Sequence, residues 1–360
     1  MKKLIVVLLL SGCASWKQKD FEKELSKPSE EAQPKVSVTT AKDEKLLEKF
    51  EVQPVDEAAA KKEPEVKKEE PKKVKAQKEV RKVGKKSTEK APVKVSSDKT
   101  PEAPVEKVLP KDYPVNLLAV NKKARKVWEQ YRPNHFVDEK VYLDIHYLGM
   151  TVGKIMVMNK GKKMINDKEV WHFHARFKSA PFYSNIYELD DTVDTYVTTD
   201  NFLSTRYSLV QRETKQEVDD LQLHDRDQLK TFWFYHQKRS NGKVKDKKLE
   251  AYIPYHSIDP FSVLFFYQGL PLKNKDVYEI PVINKGKVLL LRSEVEGREV
   301  IETEEGKRKA IRVHAVTKYT GETLKSGDMY LWFSDDERRT LLRAQAKIKI
   351  GSVTADIVKD

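Results

Sequence analysis

From Val141 onward, apolar and polar residues alternate with a period of two. Val141, Leu143, Ile145 and Tyr147 mark one face of a strand, with Tyr142, Asp144 and His146 on the other. Gly149 and Gly153 interrupt, and Ile155 and Val157 continue the pattern. Trp171, Phe173, Ala175 and Phe177 alternate with His172, His174, Arg176 and Lys178. Similar runs cover 192–199, 203–211, 218–224 and 231–236, then 277–282, 288–295, 308–317, 329–334, 341–350 and 352–358. Asn159-Lys160-Gly161, Asn284-Lys285-Gly286 and Ser326-Gly327-Asp328 supply turn chemistry between them. Sequential strands with short turns predict an antiparallel meander.

Two segments break the alternation. Leu117, Leu118, Val120, Ala124, Val127, Trp128 and Tyr131 form one helical stripe over 116–131, ended by Pro133. Asp259 to Gln268 reads as a second helix, with Asp259 as cap, Pro260 in the first turn, and Gly269 and Pro271 as the stop. That helix is apolar almost all round, so it belongs against a sheet face. The expected fold is mainly β, a large curved antiparallel sheet or open barrel packed on one buried helix. A disordered linker precedes it.

Composition divides the chain into three parts. Residues 14–110 carry 24 Lys and Arg, 20 Asp and Glu, and nine Pro, with only Trp16, Phe21 and Phe50 as aromatics. So little apolar surface does not offset ordering entropy. The segment reads as a tether, with short helices allowed at 41–50 and 56–62. Residues 111–360 hold the β-rich core. The whole chain is basic, net +13, a balance that suits phosphate-rich lipids or acidic glycans. No nucleic-acid-binding signature accompanies it, and no nucleic acid is expected.

The first thirteen residues address the chain to an envelope. Lys2 and Lys3 precede the short apolar run Leu4 to Leu10, and Ser11, Gly12 and Cys13 follow. Cys13 is the sole cysteine. The order Leu10-Ser11-Gly12-Cys13 resembles the lipobox of bacterial lipoproteins. That resemblance implies a signal peptide over 1–12, acylation of Cys13 (palmitate among the chains) and no intramolecular disulfide. Two or more acyl chains anchor stably, whereas one binds marginally. Ala14 follows the cysteine, where Asp often retains such proteins at the inner membrane. The expectation is a membrane-anchored lipoprotein of the bacterial cell envelope, at the outer membrane and facing the periplasm.

The core carries its own resemblance. Its motifs are Tyr147-Leu148-Gly149-Met150-Thr151-Val152-Gly153, Asp194-Thr195-Tyr196-Val197 with Leu203 and Arg206, and Ile258 through Phe266 with Leu270-Pro271-Leu272. Leu331 through Asp336, Arg338-Arg339 and Gly351 through Ala355 complete the series. In this order they resemble an exported bacterial family, domain of unknown function 3108, over roughly 138–358. The resemblance implies a β-rich periplasmic domain and no particular reaction.

Candidate chemistry is sparse. His172 and His174 share a strand face, but no third ligand is identifiable, and Arg176 and Lys178 on that face would repel a cation. No metal and no cofactor is expected. Asp190, Asp191 and Asp194, and Asp335, Asp336 and Glu337, are carboxylate clusters of the sort glycosidases use, yet acidic turns are commoner. His224 with Asp225 and Asp227 reads as a solvated turn. HExxH, CxxC and GxSxG are absent, so no catalytic residue is assigned. The aromatic runs Phe232 to Tyr235 and Phe265 to Tyr267 suggest a sheet apolar or covered on both sides. Phe232, Phe234, Phe265, Phe266 and Tyr267 form the candidate ligand groove. The expected function is non-enzymatic binding of a lipid-like or other envelope ligand. The alternatives are a structural or assembly protein docking an envelope protein, and a cell-wall or glycan hydrolase.

Overall fold

The alternation becomes one fourteen-stranded sheet in which every pairing between neighbours is antiparallel. The computed structural model describes residues 33–37, 40–55, 109–137, 139–319, 322–348 and 351–359. The first meander runs through β1 (Lys140–Tyr147), β2 (Met150–Ile165), β3 (Lys168–Ser179), β4 (Asp190–Thr198), β5 (Ser204–Glu213), β6 (Gln216–Asp225), β7 (Lys230–Arg239) and β8 (Val244–Tyr252). The second runs through β9 (Val277–Asn284), β10 (Lys287–Thr303), β11 (Gly306–Tyr319), β12 (Glu322–Ser334), β13 (Leu341–Lys347) and β14 (Ser352–Val358). β14 pairs with β1 and joins the meanders, leaving β8 and β9 as edges. Among the described residues the α-helices are α1 (Ala41–Lys49), α2 (Val115–Trp128), α3 (Pro181–Ser184) and α4 (Ser262–Phe266).

Both edges show their nature in sequence. β9 contains Pro281, which a strand with neighbours on both sides would not accept. β8 was not predicted, because Val244–Tyr252 is almost wholly exposed and rich in lysine. Lysines on an edge deter pairing with other chains.

A sheet this wide curls. It curls around the segment 253–276, which leaves β8, passes through the concave side and enters β9. The segment carries α4, and a 3-10 turn, Tyr267–Gly269, extends it. The predicted helix over 259–268 is therefore shorter at its start. Asp259 still caps it: Oδ1 accepts the backbone N–H groups of Phe261 and Ser262 at 2.9 Å each. Oδ2 accepts the hydroxyls of Thr195, Ser204 and Ser262, tying α4 to β4 and β5. Arg226, after β6, donates to the carbonyls of Ser204, Pro254, Tyr255 and Ser257 and so clamps the start of the segment. Burial lowers the Arg226 pKa to about 10, which leaves it charged at neutral pH.

Rings fix the remainder. Phe265 stacks on Phe173 of β3 at 3.8 Å, and Tyr267 meets Phe333 of β12. Phe266 lies against Trp128, Tyr131 and Phe202. Gly269 follows because a Cβ there would lie 2.3 Å from the Tyr131 ring. Opposite meanders thus meet on one short helix. The β9–β10 turn adds a second closure. Lys285 and Gly286 both have positive φ, as a two-residue hairpin requires. The Lys285 ammonium reaches Asp220 of β6 at 3.0 Å, and its backbone N–H donates to Gln222 at 2.7 Å.

The tether expectation needs correction over part of its length. The signal segment 1–12, Cys13 and most of 13–110 lie outside the described residues, but 33–37 and 40–55 lie on the convex face of the sheet. Thr40 caps α1, and Leu46 and Phe50 pack with Leu221, Leu223, Phe232 and Phe234. Lys49 pairs with Asp225, Lys248 with Asp43, and Gln53 exchanges backbone hydrogen bonds with Met164 of β2. Mean composition hid this. Leu46 and Phe50, four apart, with Val36, Leu47 and Val52 beside them, suffice when a prepared surface receives them. Replacing Leu46 with Asp should release this strap. Proteolysis at Lys42, Lys45 and Lys49 should then accelerate while the core keeps its melting transition. Unchanged protection would contradict the packing.

Candidate functional site

The candidate groove residues do not form one groove. Phe265, Phe266 and Tyr267 sit in the concave core, with Phe266 and Tyr267 wholly buried. Phe232 and Phe234 point to the convex face, under Leu46 and Phe50. The strand period of two separates them from Trp233 and Tyr235, which face inward. Trp233 donates to Asp220, and Lys285 lies over the Tyr235 ring. The sheet is therefore covered on both sides here, as the aromatic run implied, but each cover belongs to the chain itself.

One recess opens beside Phe265. Phe136, Val141, Leu264, Leu341, Gln268 and Thr340 are among its lining residues, and its volume is about 40 Å³. That admits a few water molecules and not an acyl chain. Next to it, partly buried His135 lies 3.2 Å from Gln268 and 2.6 Å from the Tyr131 hydroxyl. Burial lowers its pKa to about 4, so the imidazole is neutral.

The convex face carries a polar cluster that the sequence did not disclose in full. His172 and His174 lie two residues apart on β3, and Asp194 of β4 pairs in register with His174. One Asp194 oxygen lies 2.6 Å from His172 Nε2 and 2.8 Å from His174 Nδ1. All three residues are buried. Burial alone would raise the Asp194 pKa. Hydrogen bonds from His172 and His174, with their charge, outweigh it and hold the carboxyl well below its usual range. Asp194 is thus the third potential ligand. The expected repulsion from Arg176 is also absent, because Arg176 makes a bidentate pair with Asp190. Register across two strands was needed to see this, and a single strand's pattern does not contain it.

The carboxylate clusters disperse. Asp190 serves Arg176, Asp194 serves the histidines, and Asp191 faces the other way toward Gln211 and the Arg212 N–H. Burial, above all, raises the Asp191 pKa to about 7. Asp335 pairs with Arg298, while Asp336 accepts from Ser334, Arg338 and Arg339 to shape a turn that leaves Glu337 exposed. His224, 3.0 Å from Thr231, and Asp225 are both buried, contrary to the solvated turn expected of them, while Asp225 accepts the N–H groups of exposed Asp227 and Gln228. No helix among the described residues is long and apolar enough to cross a membrane.

The chain is similar to two solved structures at low identity. A β-barrel-like protein of domain of unknown function DUF1849 from Brucella abortus aligns at 13% identity and TM-score 0.41, over 63% of this chain and 98% of that one. A protein with a YmcC-like fold from Bacteroides fragilis aligns at 10% identity and TM-score 0.29, over 63% of this chain and 96% of that one. No curated protein matches. The profile described as "Protein of unknown function (DUF3108)" matches residues 143–358, from β1 to the end of β14. With the Asp259-capped helix and its encircling sheet inside that span, the chain belongs to the DUF3108 family.

Proposed function

We propose that this chain is a non-catalytic lipoprotein of the bacterial envelope. Acylated Cys13 anchors it at the outer membrane, and its β domain docks an envelope protein from the periplasmic side. The observation that carries the docking role is the filled interior. α4 and its neighbours occupy the concave side, and the recess beside Phe265 is about 40 Å³. A lipid carrier needs a continuous apolar cavity many times larger. Dispersal of Asp190, Asp191 and Asp194 onto separate partners speaks against a hydrolase. Recognition is then left to the outer surface and the sheet edges.

The strap changes the reach of such a protein. A tether free from Cys13 to residue 110 would extend to about 300 Å. With Gln33 bonded to Arg206, only nineteen residues lie between the anchor and the convex face. That caps the distance at about 70 Å. The domain is held near its membrane, and release of the strap would lengthen the leash.

Native mass spectrometry of the chain extracted from envelopes tests this reading. The expected species carries covalent acyl groups on Cys13 and no non-covalent lipid. One retained lipid per chain would restore the carrier reading. A Cys13→Ser chain should appear in the soluble fraction without acyl label, and sedimentation with membranes would refute the anchor.

A further inference from the structure

We propose that His172, His174 and Asp194 form a binding site for one divalent cation of the zinc class. Residues two apart on a strand point the same way, and the residue opposite on the next strand lies close to them. β3 and β4 therefore place two imidazoles and one carboxylate on a single patch. The ring centroids of the histidines are 6.4 Å apart, and the three candidate ligand atoms lie within 4.8 Å of one another. Zinc binds imidazole nitrogen and carboxylate oxygen at about 2.0–2.2 Å in a tetrahedron, which puts neighbouring ligand atoms about 3.3–3.6 Å apart. The observed separations of 2.6 and 2.8 Å need to open by roughly half an ångström to one ångström, within reach of side-chain rotation. Two nitrogens and one oxygen leave a fourth position for water or a neighbouring side chain.

The surroundings favour a cation here. Asp190 neutralises Arg176, the next residue along that face of β3. The ring nitrogens that approach Asp194 must present lone pairs to the metal. Their protons therefore move to the other ring nitrogens or leave to solvent, and binding depends on that exchange. Tyr196 stacks on His172 at 4.4 Å and holds its plane. Tyr196 also belongs to the apolar cluster of Leu46 and Phe50, so the strap packs beside the site. The site is thus a built-in rivet between β3 and β4 on the strapped face.

Zinc titration of the untagged, chelator-treated full chain tests the proposal. One zinc per chain is expected after gel filtration. Imidazole resonances of His172 and His174 should move on saturation, while those of the other histidines stay in place. Asp194→Asn should weaken binding about 100-fold or more. His314→Ala should leave the affinity unchanged, since that half-exposed histidine sits with Glu296 and Asp328 elsewhere. Less than one zinc per chain, or shifts confined to other histidines, would overturn the proposal. The resonance readout needs no substitution, so a poorly folded Asp194→Asn chain would not obscure the answer.

Discussion

An Asp259→Ala chain should lose about 4 kcal/mol or more of folding stability. The carboxylate is wholly buried and accepts from three hydroxyls and two backbone N–H groups. Truncation leaves those donors buried without an acceptor, at about 1–3 kcal/mol each before relaxation. It also removes the negative charge that helps keep buried Arg226 protonated. Asp259→Asn should cost less, because its remaining oxygen can accept some of the same bonds. Urea denaturation of the three chains gives the ranking. A loss below about 1 kcal/mol for the Ala chain would show that the network is dispensable.

Phe266→Ala should be the next most damaging change, at about 3–5 kcal/mol. Its ring is fully buried, with centroids 4.5 Å from Trp128, 4.8 Å from Tyr131 and 5.5 Å from Phe202. Trp128 and Tyr131 close the end of α2, so the cavity would also loosen that helix. Collapse is hindered because the Trp128 indole is held by the Asn201 carbonyl and the Tyr131 hydroxyl by His135. Denaturation together with the near-ultraviolet signal of Trp128 would measure both effects. A cost under about 1.5 kcal/mol would mean that α4 is not the centre of the core.

Much of this architecture was legible because half-buried strands alternate. Thirteen of the fourteen strands, α2 and the Asp259 cap follow from period and turn residues. The fourteenth strand, β8, escaped because an exposed edge has no buried face to impose the period. The strap escaped for a related reason. Leu46, Leu47 and Phe50 are a short apolar set among charges, and only the waiting surface of Phe232 and Phe234 gives them a role. The candidate groove failed on handedness of faces. Phe232 and Phe265 are both aromatic and buried, but they lie on opposite sides of one sheet. The histidine–aspartate cluster depends on β3–β4 register, which pairs His174 with Asp194 twenty residues later.

Amide hydrogen exchange on the full-length chain tests the strapped arrangement most directly. The Phe50 N–H donates within the α1 end, and the N–H groups of Gln53 and Met164 each donate to the other residue's carbonyl at 2.9 and 2.8 Å. Peptides spanning residues 43–54 should therefore exchange slowly, and Leu46→Asp should abolish that protection without exposing β6 or β7 to global unfolding. Exchange of those peptides at the unprotected rate in the unsubstituted chain would contradict the strap and the short leash that depends on it.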